Sequence, residues 1–184
     1  MAKVLYHATM SLDGFIAGPG GEMTWIMDYL GGPNAAAADL LANIGALLIG
    51  ARTHHGGESD RGSSTEPGKP YGGAWTGPMF VLTHDPDEVA PPGFTLLDGD
   101  IPSAVATAKA AAGDKCVVVF GAATAARCLE AGLLDEILVH VAPVLLGDGV
   151  RMFSRPGGAK VRLERIRGDV APPIVDQWLR VVTP

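Results

Sequence analysis

The sequence predicts an α/β fold with a mostly parallel central sheet, helices on both faces and an antiparallel C-terminal edge. Three observations lead to this prediction. Short apolar runs typical of buried strands alternate with Ala-rich helical segments through most of the chain. Glycine or another turn residue closes most of these segments. The last two apolar runs, residues 161–166 and 174–182, follow one another with no helix between them, as antiparallel neighbours do.

The first half of the chain is predicted to carry two strands around one helix. In order, we expect a strand over residues 4–10, a loop over residues 18–21, a helix over residues 35–44 and a strand over residues 46–49. The turn residues Ser11, Asp13 and Gly14 end the first strand. Asn34 suits the N-cap of the helix, and Gly45 suits its C-terminal stop.

Residues 54–78 are rich in Gly, Ser and Pro and are predicted to form a long loop. Tyr71 and Trp75 favour a partly ordered flap that closes over a ligand. The alternative is a surface insertion without a function.

The second half returns to strands and helices in alternation. We expect strands over residues 80–83, 94–97, 117–120 and 137–141, and helices over residues 102–112 and 122–131. Asp100 suits the N-cap of the first of these helices and Gly113 its stop. The second helix begins directly after Gly121, so its unpaired N–H groups and positive dipole end can hold a phosphate.

Composition indicates a single folded domain over residues 1–184. The chain is 47% hydrophobic and 18% charged, which excludes a disordered protein. The net charge of -6 and the lack of Lys or Arg clusters argue against nucleic acid and anionic membranes as partners. No apolar run approaches the ~20 residues of a membrane span, and no signal peptide is evident, so we expect a cytoplasmic protein.

Three loops that follow predicted strands offer groups for a nucleotide. Because ligands of open α/β sheets bind outside the carboxyl ends of the strands, these loops are expected to meet. Arg52 supplies a cation, Thr53 and Thr83 supply hydroxyls, and Gly121 begins an amide-lined turn. Each loop taken singly is also consistent with an ordinary turn or a solvated helix start.

Several other sites are excluded by the absence of their motifs. The chain has no G-x-G-x-x-G after its first strand, no phosphate-binding G-x-x-x-x-G-K-[ST], no G-x-S-x-G and no zinc-deaminase signature. The adjacent His54 and His55 do not have the spacing of a metal pair, and we expect no metal. Cys116 and Cys128 lack Cys-x-x-Cys spacing and are expected to be buried free thiols in a reducing compartment.

Motifs along residues 3–182 resemble one known family. They are Ser11-Leu12-Asp13-Gly14 with Ile16-Ala17, Gly21-Glu22 followed by Trp25, Leu48-Ile49-Gly50 with Arg52-Thr53, Val119-Phe120-Gly121 leading into Leu129–Leu133, and Ala142–Gly147. The chain resembles the dihydrofolate-reductase-like family, and within it the reductase domain of riboflavin-biosynthesis deaminase-reductases as a stand-alone protein. The resemblance implies NADPH as cofactor, hydride transfer to a pteridine-like or ribosylaminopyrimidine-like heterocycle, and a homodimer.

The resemblance also implies the cofactor contacts. By position these are Thr9 and Ala17 at the nicotinamide, Trp25 over the cofactor, Gly50, Arg52, Thr53 and Thr83 at the adenosine end with its 2′-phosphate, and Gly121, Ala122, Ala123, Thr124 and Ala125, within residues 121–127, at the pyrophosphate. Ala122 stands where relatives have a second glycine, in a bond that is cis in dihydrofolate reductases. A cis bond here would cost about 3–4 kcal/mol, so either the bond is trans or the fold holds it.

The proton that accompanies hydride transfer needs a donor, and two carboxyl groups are candidates. Asp13 follows the first strand, where the nicotinamide is expected, although an Asp before Gly also serves as a turn cap. Asp28 is the second candidate. Dihydrofolate reductases have a Pro between the Trp and the catalytic acid, and its absence between Trp25 and Asp28 argues against dihydrofolate as substrate. The alternatives to a reductase are a non-catalytic nucleotide-binding or regulatory protein on the same fold and a flavodoxin-type flavin protein.

Overall fold

The computed structural model describes residues 1–30, 32–55, 70–85, 89–90, 92–158 and 160–182. This part of the chain forms ten strands, eight of them in one sheet. The strands are β1 (Val4–Ser11), β2 (Phe15–Ala17), β3 (Ile44–Gly50), β4 (Met79–Leu82), β5 (Phe94–Leu97), β6 (Cys116–Phe120), β7 (Glu136–Ala142), β8 (Val150–Arg151), β9 (Arg162–Ala171) and β10 (Ile174–Val182).

The large sheet has the strand order β5-β4-β3-β6-β1-β7-β10-β9. Neighbouring strands from β5 to β7 are parallel, whereas β10 is antiparallel to both β7 and β9. The predicted fold class is therefore confirmed. The separate antiparallel pair of β2 and β8 is not predicted, because such short strands carry too little periodicity to be recognised.

Helices cover both faces of the sheet. They are α1 (Ala35–Asn43), α2 (Ala51–His54), α3 (Ile101–Ala112) and α4 (Ala122–Glu130), with 3-10 segments at Pro19–Gly21, Thr24–Tyr29 and Pro70–Gly73. α3 and α4 pack on one face and form what we call the α3 core, while α1 packs on the other face in the α1 core. Tyr6 belongs to the α3 core and Leu5 to the α1 core, the alternation of a strand that is covered on both faces. Within the described residues, no helix is long and apolar enough to cross a bilayer.

The helix caps are confirmed at three positions and wrong at a fourth. Gly113 is the C-cap of α3, as expected. The side chains of Asn34 and Asp100 each accept a hydrogen bond from the backbone N–H three residues later, at 2.8 and 2.7 Å. Gly45 does not stop α1 but lies inside β3. A Cβ at Gly45 would come within 2.4 Å of the carbonyl oxygen of Ala112, so glycine lets the end of α3 pack against the strand.

The predicted loop or flap over residues 54–78 is partly regular. His54 closes α2, and a 3-10 segment follows at Pro70–Gly73. Tyr71 and Trp75 pack against the α1 core, where the indole N–H of Trp75 donates to the carbonyl oxygen of Ile44 at 3.4 Å. Residues 56–69 lie outside the described part of the chain, so closure of this segment over a ligand stays a prediction.

Both cysteines are free thiols, as expected. Cys128 is buried and Cys116 is partly buried. Burial raises the pKa of each thiol to about 11, so both are protonated at neutral pH.

Candidate active site at the carboxyl end of the sheet

The parallel strands bring the loops that the sequence singled out to one edge of the sheet. β1, β3, β4 and β6 run in the same direction, so the segments that follow them share the carboxyl edge. Asp13, Gly50, Thr83 and Gly121 each lie at or just beyond the end of one of these strands. Such an edge is where ligands bind in open α/β sheets.

Two glycines at this edge allow the turns after β3 and β6 to pack against each other. A Cβ at Gly121 would lie 2.4 Å from Oγ1 of Thr53, and a Cβ at Gly50 would lie 2.4 Å from Oγ1 of Thr124. Gly121 also has φ of 102°, which favours glycine. We call these four residues the cradle. Its two threonine hydroxyls occupy the places that Cβ atoms on the two glycines would need.

The cradle opens onto the N-terminus of α4. Gly121 is the N-cap and provides no side-chain cap, and the first turn of the helix contains no acidic residue. The N–H of Ala125 is paired with the carbonyl of Gly121 at 3.0 Å, which leaves the preceding N–H groups available for an anion. Among the described residues only Pro172–Pro173 has a cis bond, so the bond from Gly121 to Ala122 is trans. The donor set therefore fits a pyrophosphate.

The remaining residues expected at the adenosine end differ in exposure. Arg52 and Thr53 are exposed on α2, where a guanidinium and a hydroxyl can reach a phosphate. Thr83 is 5% exposed, and its Oγ1 accepts a hydrogen bond from the N–H of Asp85 at 3.1 Å. The hydroxyl of Thr83 thus closes its own turn as well as facing the carboxyl edge.

Asp13 fastens the loop after β7 to the end of β1. Its carboxylate accepts hydrogen bonds from the hydroxyl of Ser11 at 2.6 Å and from the N–H groups of Leu146 and Gly147 at 3.1 and 2.8 Å. The Ser11 hydroxyl, with these two amides, lowers the pKa of Asp13 to about 2. At neutral pH Asp13 is therefore an ionised acceptor and has no proton to donate.

The same loop contacts the segment expected beside the nicotinamide. A Cβ at Gly149 would lie 2.1 Å from the carbonyl oxygen of Ala17, which is buried in β2. Sequence reasoning did not assign a role to Leu146, Gly147 or Gly149. The Ala142–Gly147 motif was the available signal, but nothing in it shows that its amides meet Asp13.

Trp25 and Asp28 lie on the 3-10 segment between β2 and α1. Trp25 is half-buried, its ring 6.3 Å from that of Tyr29, and its indole nitrogen is buried without a hydrogen-bond partner in the described residues. An unpaired buried donor of this kind can form a hydrogen bond with a bound ligand. Asp28 is exposed and lines a shallow hollow with Asn34 and Pro172.

A second polar group of residues, which sequence reasoning missed, lies on the α1-core face of the sheet. Nδ1 of His140 on β7 lies 2.5 Å from Oδ1 of Asp176 on β10. Nε2 of His140 lies 2.8 Å from Nε2 of His7 on β1, and Nδ1 of His7 lies 3.1 Å from the hydroxyl of Tyr71. We call these four residues the polar line. The one available signal was the interruption of apolar strand runs by single polar residues.

Comparisons with known proteins agree with this architecture. The protein is 23% identical to the "Uncharacterized protein YwjB" of Bacillus subtilis over 163 residues, which cover 88% of this chain and 89% of that one. It superposes on a "Putative riboflavin biosynthesis protein" from Shewanella sp. PV-4 with a TM-score of 0.78 at 23% identity, over 100% of both chains.

Two further solved structures share the fold. One is the Thermotoga maritima diaminohydroxyphosphoribosylaminopyrimidine deaminase/5-amino-6-(5-phosphoribosylamino)uracil reductase, with TM-score 0.70, 17% identity and 98% of this chain covered; the chain spans 57% of its length. The other is dihydrofolate reductase from Enterococcus faecalis complexed with NADP(H), with TM-score 0.57, 15% identity and coverage of 97% and 95%. The sequence pattern of the RibD C-terminal domain matches residues 2–169. The chain therefore belongs to the RibD C-terminal domain family.

Proposed function

We propose that this protein is an NADPH-dependent reductase that transfers hydride to a pteridine-like or ribosylaminopyrimidine-like heterocycle. The observation that carries the proposal is the cradle, in which Gly50 and Gly121 let two threonine hydroxyls pack closely at a helix N-terminus that has no side-chain cap. Family membership and the reductase fold support the same assignment.

The chain's own residues would bind the cofactor in three places. The cradle with residues 122–125 would hold the pyrophosphate, and Arg52 would hold the 2′-phosphate through charge-assisted hydrogen bonds. Thr9 and Ala17 would line the nicotinamide, and Trp25 would cover it. When bound, NADPH supplies the hydride; the protein supplies orientation and a site that excludes water.

We assign the two candidate carboxyl groups on their surroundings. Asp13 is committed to three hydrogen bonds that keep it ionised, so its role is to hold the loop of residues 143–149 in place. Asp28 is exposed, which suits contact with a polar substituent of the substrate rather than proton transfer in a dry site. On this assignment the proton would come from another group or from water.

Thermal unfolding with and without cofactor tests the binding half of the proposal. We expect NADPH to raise the Tm more than NADH does at the same concentration, because only NADPH carries the phosphate that Arg52 would bind. No change in Tm at millimolar NADPH would reject the proposal.

A turnover assay tests the chemical half. NADPH oxidation would be followed at its absorbance maximum with 5-amino-6-(5-phosphoribosylamino)uracil or dihydrofolate as probe, and we expect reduction of the pyrimidine in preference to dihydrofolate. Binding of NADPH without oxidation by either probe would instead favour the non-catalytic nucleotide-binding alternative.

We also propose a homodimer formed through the antiparallel edge. Apolar side chains are exposed there on β9 and β10, among them Val170 at 72% and Ile166 at 44% exposure. Such apolar surface at a sheet edge is typical of an interface. Light scattering on the purified protein should give twice the chain mass, and Val170→Lys with Ile166→Lys should shift it to the monomer.

A further inference from the structure

The polar line is a costly arrangement for the interior of a protein. Asp176 is 1% exposed and His140 is 5% exposed, and Oδ2 of Asp176 is buried without a hydrogen-bond partner among the described residues. Burying a carboxylate and an imidazole stabilises a fold less than apolar side chains of the same volume would. Stability alone therefore does not account for this line.

The geometry restricts where protons can lie along it. The two imidazoles face each other through one nitrogen each, so one proton lies between them. Burial, followed by the nearby His140, lowers the pKa of His7 to about 3, so His7 is neutral and has a single N–H. When that N–H is on Nε2, it donates to His140, and Nδ1 accepts from the Tyr71 hydroxyl. When it is on Nδ1, it donates to Tyr71, and His140 supplies the proton between the rings.

The His140–Asp176 pair decides between these two arrangements. Nδ1 of His140 and Oδ1 of Asp176 share one proton. Nε2 of His140 has a proton of its own only when the pair holds one proton more. We propose that this pair, through His7, sets Tyr71 as the acid that protonates a ligand bound on the α1-core face of the sheet. With the extra proton present, the Tyr71 hydroxyl is free to donate to the ligand; without it, the hydroxyl donates to His7.

The position of Tyr71 suits this role. Its ring stacks on His7 with centroids 5.7 Å apart and also lies 5.7 Å from the ring of Phe120, which directly precedes Gly121 of the cradle. Thr9 lies two residues beyond His7 and so on the same face of β1. Tyr71 is half-buried, and burial raises its pKa, so the hydroxyl is protonated at rest. The identity of the ligand as a reductase substrate rests on the proposed function. The link between the proton of the His140–Asp176 pair and the tautomer of His7 does not.

In the proposed reduction the protons balance along the line. NADPH would supply the hydride to the carbon of a substrate C=N bond and be left as NADP⁺, and the π electron pair would pass to the nitrogen. That nitrogen takes the proton of Tyr71, Tyr71 takes the proton on Nδ1 of His7, and Nε2 of His7 takes the proton on Nε2 of His140. His140 is left with its proton toward Asp176, and one proton from solvent restores the pair.

Ionisable groups from several elements face the line. Asp169 on β9 lies directly opposite Asp176 and is paired with Arg167, which also pairs with Asp39 on α1. Cys116 on β6 adds to the raised pKa of Tyr71, after burial. Asn34, ahead of α1, is neutral and places its amide nitrogen 3.5 Å from Nδ1 of His140. Glu136, further along β7, is paired with Lys3 at 2.5 Å. Asp169→Asn is therefore measured beside Asp176→Asn, and a change of the histidine rings is assigned to the His140–Asp176 pair only where Asp169→Asn keeps it.

Ring nitrogen spectra of protein labelled with ¹⁵N-histidine test the line without any ligand. In spectra taken over a rising pH series, His7 should change from the Nδ1–H to the Nε2–H tautomer and should stay neutral wherever the pH lies well above its pKa of about 3. Asp176→Asn should abolish the change, whereas Tyr71→Phe should keep it; the exposed His84 serves as the reference ring. One unchanging tautomer of His7, or charging of His7 in this range, would overturn the proposal.

Single-turnover reduction of 5-amino-6-(5-phosphoribosylamino)uracil by the NADPH-loaded protein tests the acid itself. Tyr71→Phe should lower the rate about 100-fold with an unchanged Kd for NADPH, and Asp176→Asn should remove the pH dependence. Tyr6→Phe is the matched control, because Tyr6 is a buried tyrosine next to His7 on the opposite face, and it should stay within about twofold. Wild-type rate and pH profile in Tyr71→Phe would overturn the role of Tyr71. Failure of the wild type to reduce the probe would reject the proposed function. The ring spectra would still show whether the pair controls the tautomer of His7.

Discussion

The cradle and the polar line meet at Phe120 and Gly121, yet they are built in opposite ways. The cradle has no ionisable side chain, and its two glycines let threonine hydroxyls pack closely at a helix N-terminus that has no side-chain cap. The polar line fills the sheet face with imidazole, carboxylate and phenol groups that pair with one another. We expect one region to bind an anionic ligand and the other to hold a proton. Substitutions should therefore separate affinity from rate.

The largest effect is expected from breaking the polar line at its buried end. Asp176→Ala leaves His140 without its carboxylate and should lower the free energy of unfolding by about 3 kcal/mol in urea denaturation. The double variant Asp176→Leu with His140→Leu removes both polar groups and should recover part of that loss. NADPH affinity, measured by fluorescence, should stay within about twofold in the folded variants. A double variant as unstable as the single one would contradict the view that the pair weakens the core.

The cradle should respond in affinity. Gly121→Ala places a Cβ against the Thr53 hydroxyl at a φ of 102°, so NADPH binding measured by calorimetry should weaken at least about tenfold, with a loss of about 1–3 kcal/mol in stability. Gly132→Ala is the matched control beyond the other end of α4: its φ is also positive, at 67°, but nothing lies within 4 Å of the added Cβ. It should lower stability by about 1 kcal/mol and leave NADPH affinity unchanged. Equal affinity losses in both variants would remove the cradle from the phosphate site.

Arg52 tests the proposed 2′-phosphate contact separately from the pyrophosphate contact of the cradle. Arg52→Ala should raise the Kd for NADPH about tenfold, or about 1.4 kcal/mol, and that for NADH by less than about twofold. Arg162→Ala, which removes an exposed arginine on β9, is the control and should change neither. An equal effect of Arg52→Ala on both cofactors would remove Arg52 from the 2′-phosphate.

The smallest effect is expected at Asp13, which is partly exposed. Its folded-state pKa of about 2 lies below the ordinary value of 3.8, so its hydrogen bonds stabilise the fold above about pH 4, and that contribution is lost as the pH falls through about 2. Asp13→Asn should lower the Tm at pH 7, and the difference from the wild type should shrink toward pH 2 in calorimetric scans. A difference that widens on acidification would show that Asp13 is not the ionised acceptor described here.

Local signals explain why the cradle could be predicted and the polar line could not. Gly50 and Gly121 each end an apolar strand and precede a helix, so both turns and their shared edge follow from short stretches of sequence. His7 and His140 are 133 residues apart, and they meet only because β1 and β7 are neighbours in the sheet. Gly45 shows the same limit. A glycine after a helical segment predicts the end of the helix, whereas the actual requirement for glycine is the close approach of Ala112, which is distant in sequence.

Asp13 holds the loop after β7 through two backbone amides, so hydrogen exchange at those amides reports whether the Asp13 carboxylate is charged. The N–H groups of Leu146 and Gly147 lie near the surface, where backbone amides ordinarily exchange with deuterium in seconds or less, yet both donate to a carboxylate. Their protection from exchange should therefore be far greater than their exposure suggests, and it should disappear in Asp13→Asn. These two amides give a readout of loop order that needs neither cofactor nor substrate.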